Sequence, residues 1–340
     1  MPPRWRLPLL ALGFVSLALG IAGGLARLGA FELPVHPATA LHGALMASGF
    51  FGTVIGLERA VALGRLWAYA APLCAGLGGI ALVLGFLPAG LVILVLAAML
   101  FSLATLMVVI RQPSLETATL LAGALAWVVG NTLLLYGGQA VPWWIAFFAL
   151  TIGAERLELS RYLKRSISSR NAFIAIGVAV LILSVNPILQ GAALVLLALW
   201  LLAYDLAWVT VRQRALPRYI AVCLLAGYFW LALGGVLLAL DVMRDAALHA
   251  ILVGFVFSMV FGHAPVILPA VLRVALPYSP ALYAPLALLH ASLALRVSGN
   301  LLDDLLLKQA GAWGNAGAIA LFILTSIVLV ATSRRSSAPL

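Results

Sequence analysis

The stretch ALHGALMASGFFGTVIGLERA, Ala40 to Ala60, is apolar and studded with glycine. It is long enough to cross a bilayer, since a transmembrane helix needs about 20 apolar residues. Yet it carries His42 near one end and Glu58 and Arg59 near the other. Titratable side chains are costly in hydrocarbon, so this segment poses the questions of fold and function together.

The rest of the chain has the same character. Of 340 residues, 65% are hydrophobic and 9% are charged, where a soluble domain has about a quarter charged. The sequence therefore predicts an all-α polytopic membrane bundle with the lipid bilayer as its main partner and no soluble domain. Lys and Arg outnumber Asp and Glu by 20 to 10. In a membrane protein that excess sets topology, and it gives no reason to invoke nucleic acid. Cys74 and Cys223 both fall in apolar runs. They provide no C-x-x-C-H for covalent haem and no thiolate metal cluster, and they read as small buried hydrophobes.

Segmenting at charges, Pro and Gly predicts about twelve spans, near 7–27, 40–60, 67–86, 89–110, 115–136, 142–161, 172–188, 190–211, 219–240, 247–268, 279–297 and 311–332. The weakest division is at VNPILQG, between the seventh and eighth. The first span resembles a signal peptide in its basic start but lacks a small-residue cleavage motif, and reads as an uncleaved helix. With both termini cytoplasmic, 16 of the 20 Lys and Arg face inward, and only Arg27, Arg244, Arg296 and Lys308 face outward. Trp143 and Trp144 fit an outer aromatic belt. The basic loop RYLKRSISSRN divides one membrane domain into halves 1–165 and 170–340, without a convincing repeat. A prokaryotic inner membrane is the expected location.

Topology gives depth at about 1.5 Å per residue. His42 and His249 fall near the outer ends of the second and tenth spans. His290 falls near mid-membrane in the eleventh, with Arg296 further out and Asn131 in the outer half of the fifth. His36, just outside the membrane, reads as a surface loop histidine or as a metal-entry ligand. A second polar group lies toward the cytoplasm: Glu58, Arg59, Glu116, Glu155, Arg156, Asp205 and His263. Each histidine taken alone reads as a packing residue. Two outer-end histidines on separate helices, beside small residues and an arginine, also suit a bis-histidine haem. Imidazole is an axial ligand, the ring body wants an apolar slot, and a propionate wants a cation. On that reading His42 and His249 are axial ligands and Arg296 meets a propionate. His290 is then an alternative ligand, or a ligand to copper or a second haem. The glycines Gly43, Gly49, Gly52 and Gly56 either pack helices closely or make room for a flat cofactor. Glu58, Arg59, Glu155 and Arg156 are either helix-end charges snorkelling to the interface or, with Asp205 and His263, part of an ion-pair network or proton path.

HGALM, early in the second of twelve spans, resembles the H-G-x-x-M of the haem-copper oxidase main subunit, where that histidine ligates the low-spin haem. HAILVGFVFSMVFGHAPVILPAV is similar in placement to that family's other haem-bearing helix. The overall likeness is closer to the NnrS family, twelve-span proteins described as containing haem and copper and linked to nitric oxide stress. The resemblance implies haem b at His42 and His249, with copper as a further metal and quinol or another redox partner. The chain departs from the oxidases in having no His-His pair, no H-x-H in the tenth span and no His in the sixth or seventh. That argues against oxygen or nitric oxide reduction by the oxidase mechanism. The NnrS histidine cluster of the second span is reduced to His42, which weakens the copper expectation. The leading expectation is a haem-binding membrane protein of nitrogen-oxide response or electron transfer. A proton-coupled secondary transporter and a non-catalytic metal-centre assembly factor are the competing readings.

Overall fold

A computed structural model describes residues 2–32, 37–159 and 166–336. His36 and the loop cations Arg161, Lys164 and Arg165 lie outside the described residues. Among those described there is no strand. Eleven helices are long and apolar enough to span a membrane. They are α1 (Pro3–Arg27), α2 (His42–Leu63), α3 (Leu66–Val83), α4 (Leu87–Arg111), α5 (Leu115–Leu135), α7 (Ile167–Val185), α8 (Pro187–Tyr204), α9 (Ala215–Ala239), α10 (Arg244–Leu272), α11 (Pro280–Leu301) and α12 (Leu305–Ser333). A twelfth, α6 (Val141–Leu159), is as long, but Glu155, Arg156 and Glu158 put three charges into its last five residues. The chain is a multi-pass integral membrane protein of all-α class.

The lipid-facing surface is written in helical periodicity. On α4, Val92, Leu96, Met99, Leu103, Leu106 and Ile110 are all exposed, at alternating spacings of four and three that keep them on one face. The opposite face buries Gly90, Leu94, Ala97, Ala98, Phe101 and Thr105. A continuous exposed apolar stripe of that kind is at home in hydrocarbon.

Local chemistry sets the helix ends. Asn186 parts α7 from α8: its side chain accepts from the Ile188 and Leu189 amides, and Pro187 opens α8 with a φ already suited to a first helical residue. The weak division at VNPILQG is thus a capped break. Helix α8 stops at Tyr204, because Asp205 turns extended, seven residues short of the predicted 211. Gly64 closes α2 at φ 68, a left-handed position that glycine occupies without penalty. Helix α10 holds Pro265 and Pro269 internally and ends at Arg273 with φ 55.

The chain forms two compact units, Met1–Ala154 and Glu155–Leu340. The boundary falls within α6, and just past it Arg156 bonds to Asp205 inside the second unit. In the first unit an aromatic core gathers about Trp127, stacked on Phe147 with centroids 5.2 Å apart and met edge-on by Phe101 at 5.6 Å. In the second unit, α11 and α12 form a hairpin so close that a Cβ on Gly311 would lie 2.5 Å from the backbone nitrogen of Arg296. Small residues permit this kind of contact in lipid. Within this unit Arg156 is joined to Asp205, Ser333 to Ala275, Asp245 to Arg296 and Lys308 to Asp303.

Candidate functional site

His42 opens α2 against α1. Its Nδ1 lies 2.6 Å from the Gly20 carbonyl oxygen. A carbonyl only accepts, so Nδ1 carries the proton and Nε2 the lone pair. The ring lies on Gly24, where a Cβ would fall 2.8 Å from Cε1. Just below, Leu45–Phe50 widens into π-helix, a departure from α-geometry frequent at functional sites.

Beneath that turn is a satisfied polar network. Ser48 Oγ–H donates to Asn131 Oδ1 at 2.7 Å, and Trp144 Nε1–H donates to the same oxygen at 3.0 Å. Trp127 Nε1–H donates to Ser48 Oγ at 2.9 Å, and Asn131 Nδ2–H to the Leu94 carbonyl at 2.9 Å. Trp144 is therefore turned inward and buried, contrary to its expected place in an aromatic belt: its indole N–H has a buried acceptor. The glycine stripe of α2 is filled by protein. A Cβ on Gly52 would collide with the Trp127 indole, one on Gly43 would meet Trp144 at 3.2 Å, and one on Gly56 would meet Pro72 at 3.3 Å. The stripe is close packing, and a flat cofactor has no room on it.

The second unit repeats the construction of His42. His249 Nδ1–H donates to the Asp245 carbonyl at 2.8 Å, which again puts the lone pair on Nε2. Ala250–Phe257 then runs as π-helix. Asp245 Oδ1 lies 3.3 Å from the same Nδ1. Arg296 clamps that carboxylate through Nη2, 3.1 Å from each oxygen, and through Nε at 3.2 Å. Asn300 Nδ2–H adds a bond at 3.4 Å. A carboxylate behind an imidazole fixes its orientation and raises its basicity as a ligand. Arg296, expected to meet a propionate, is instead engaged by Asp245. The sequence reading passed over Asp245, although its i,i+4 spacing to His249 is a legible helix-pair signal.

His290 is held differently. Trp230 Nε1–H donates to its Nδ1 at 2.9 Å, and the two rings lie 9° from parallel. An indole nitrogen only donates, so here Nδ1 has the lone pair and Nε2 the proton, directed toward Ser258 Oγ at 3.5 Å. Both nitrogens are committed, and this neutral ring has no lone pair left for iron or copper. His263 lies further along α10, its Nδ1–H on the Met259 carbonyl at 2.8 Å.

The inner-side residues divide between the units. Glu58 and Arg59 are half-buried in the last turns of α2. Glu155 is half-buried, whereas Arg156 is buried and grips Asp205 by Nε at 2.8 Å and Nη2 at 3.1 Å. Tyr228 Oη–H and the Ala207 amide also donate to Asp205, at 2.9 and 2.6 Å. Four donors on one buried carboxylate make a closed cluster. Tyr228 was not visible as its partner because 23 residues separate the two. Among the described residues no three His, Cys, Asp or Glu side chains converge as a metal cage; bis-imidazole iron asks for only two.

The family model of a domain of unknown function (DUF8744) matches residues 6–331. The chain belongs to this family. The DUF8744 match runs from α1 to the end of α12, so both histidine constructions and the Arg156–Asp205 cluster lie within it. No curated protein matches the chain.

Proposed function

We propose that this DUF8744 protein is a haem-b-binding protein of the prokaryotic inner membrane, NnrS-like, serving nitrogen-oxide response or electron exchange with quinol. One observation supports the reading: each unit has, in the first turns of a long helix, a histidine whose Nδ1–H is tied to a backbone carbonyl, on the neighbouring helix for His42 and one turn back for His249, followed by a π-helical run. That is the tautomer an axial ligand needs. On this reading His42 in one unit and His249 in the other are the candidate axial ligands, each ring oriented within its own unit. Bound haem supplies one-electron chemistry. The chain's own part is to hold the rings, by the Gly20 carbonyl in one unit and by Asp245, Arg296 and Asn300 in the other.

Optical spectra of detergent-purified protein, oxidised and dithionite-reduced, test this directly. A Soret band with sharp reduced α and β bands, lost in both His42→Ala and His249→Ala, is the expected result. A colourless wild type after expression with ample haem refutes it. One observation favours a second reading, a proton-coupled transporter: Arg156, Asp205 and Tyr228 form a buried charged cluster in the second unit. That reading predicts a colourless protein whose substrate uptake collapses with the proton gradient.

A further inference from the structure

A cavity of about 370 Å³ opens at the start of α9, lined by Arg214, Ala215, Arg218, Val222, Tyr278 and Tyr283. It brings the α8–α9 connection together with the segment before α11. By the arginine distribution, both belong to the cytoplasmic side. Its lining residues include two arginines and two tyrosines, it is open to the surface, and no lining residue is acidic. Among the described residues no carboxylate lies within ion-pair distance of Arg214 or Arg218. This contrasts with Arg156 and Arg296, each of which has its aspartate. The floor is firm: Tyr219 meets Tyr283 edge-on with centroids 5.2 Å apart. Ala215 is held at φ 56, a left-handed conformation that a non-glycine residue adopts only under constraint.

Arg214 and Arg218, both exposed and four residues apart on the same lining, supply the donor chemistry for a phosphate, which guanidinium binds in bidentate fashion. Tyrosine hydroxyls add neutral donors. The volume falls within the range of small-molecule sites. Basic pockets between helices on the cytoplasmic side are also where anionic headgroups dock. We propose that this cavity binds a phosphate anion, presented either as the headgroup of an anionic lipid or as free phosphate.

The test uses the full chain in detergent, with lipid retention read by native mass spectrometry. Wild type is compared with Arg214→Gln/Arg218→Gln and with Arg212→Gln/Arg273→Gln. The second variant removes the same two charges without touching the cavity lining. Phosphatidylglycerol and phosphatidylcholine are the lipid probes, and inorganic phosphate is added as competitor. Expected is selective retention of phosphatidylglycerol that falls at least about tenfold in the cavity variant and is kept in the control. Displacement by millimolar inorganic phosphate assigns the site to phosphate itself, whereas indifference to it assigns the site to the lipid. Equal loss in both double variants, or equal binding of the two lipids by wild type, overturns the proposal. Should the cavity variant fail to fold, Arg218→Gln alone must lower retention, and an unchanged value overturns the proposal equally.

Discussion

At the scale of single residues, the difference between His42, His249 and His290 is one of tautomer, fixed by what each Nδ1 meets. A carbonyl asks for a proton and an indole N–H asks for a lone pair. His290→Gln is therefore expected to leave any haem spectrum unchanged while His42→Ala and His249→Ala abolish it; the same reduced-minus-oxidised spectra decide. Arg156→Ala leaves Asp205 charged, buried and short of its main partner. Removing one partner of a buried pair costs about 3–5 kcal/mol, so a clear fall in melting temperature is expected in a detergent thermal scan. Arg156→Met with Asp205→Leu should recover most of that fall. Asp303, exposed beside Lys308 at 2.9 Å, is the opposite case. Lys308 holds its carboxyl below the ordinary carboxylate value. A depressed acid stabilises above its unfolded pKa and loses that contribution as pH falls through the folded value. Because the pair is open to solvent and screened, Lys308→Ala should leave the neutral-pH melting temperature unmoved.

At the scale of elements, hydropathy foretold about twelve spans, of which eleven are long and apolar enough in the described residues, and their ends followed wherever the capping residue lay in the same stretch, as at Asn186–Pro187. The site was less legible. The positions of His42 and His249 could be read, but their partners could not. Gly20 is 22 residues from His42, Trp230 is 60 residues from His290, and no local pattern reports which helices pack. The π-helical runs are likewise invisible to a search at period 3.6. The glycine stripe allowed two readings until the Trp127 indole was found against Gly52. Replacing Gly52 by Ala drives a methyl group into that indole, and a loss of folded protein on size-exclusion chromatography is expected. Gly317→Ala is the matched control. Nothing lies within 4 Å of the added carbon, and alanine exceeds glycine in helix propensity by about 1 kcal/mol, so stability should hold or rise.

At the scale of the whole molecule, the sequence divided the chain at its most polar loop, whereas the units divide inside α6. A hydropathy profile weighs each residue by itself, but membership of a unit depends on partners, and Arg156 finds its partner on α8. Composition correctly announced a multi-pass membrane protein. It did not reveal that Arg296 is held by a nearby carboxylate. A variant lacking Arg296 should therefore disturb His249 through Asp245. Arg296→Ala is expected to broaden or shift the spectrum of a haem-loaded protein without abolishing it, read against His249→Ala.

The two prolines inside α10 have a consequence for solvent. Neither Pro265 nor Pro269 carries an amide hydrogen, so the carbonyls of Phe261 and Pro265 receive no bond from the residue four places on. In hydrocarbon such oxygens draw in water or a donor side chain. The Arg273 end of α10 is thus expected to draw water further into the helix than an uninterrupted hydrogen-bond ladder would. Hydrogen–deuterium exchange should enter the helix there and spread outward, reaching the turns around Phe255 last.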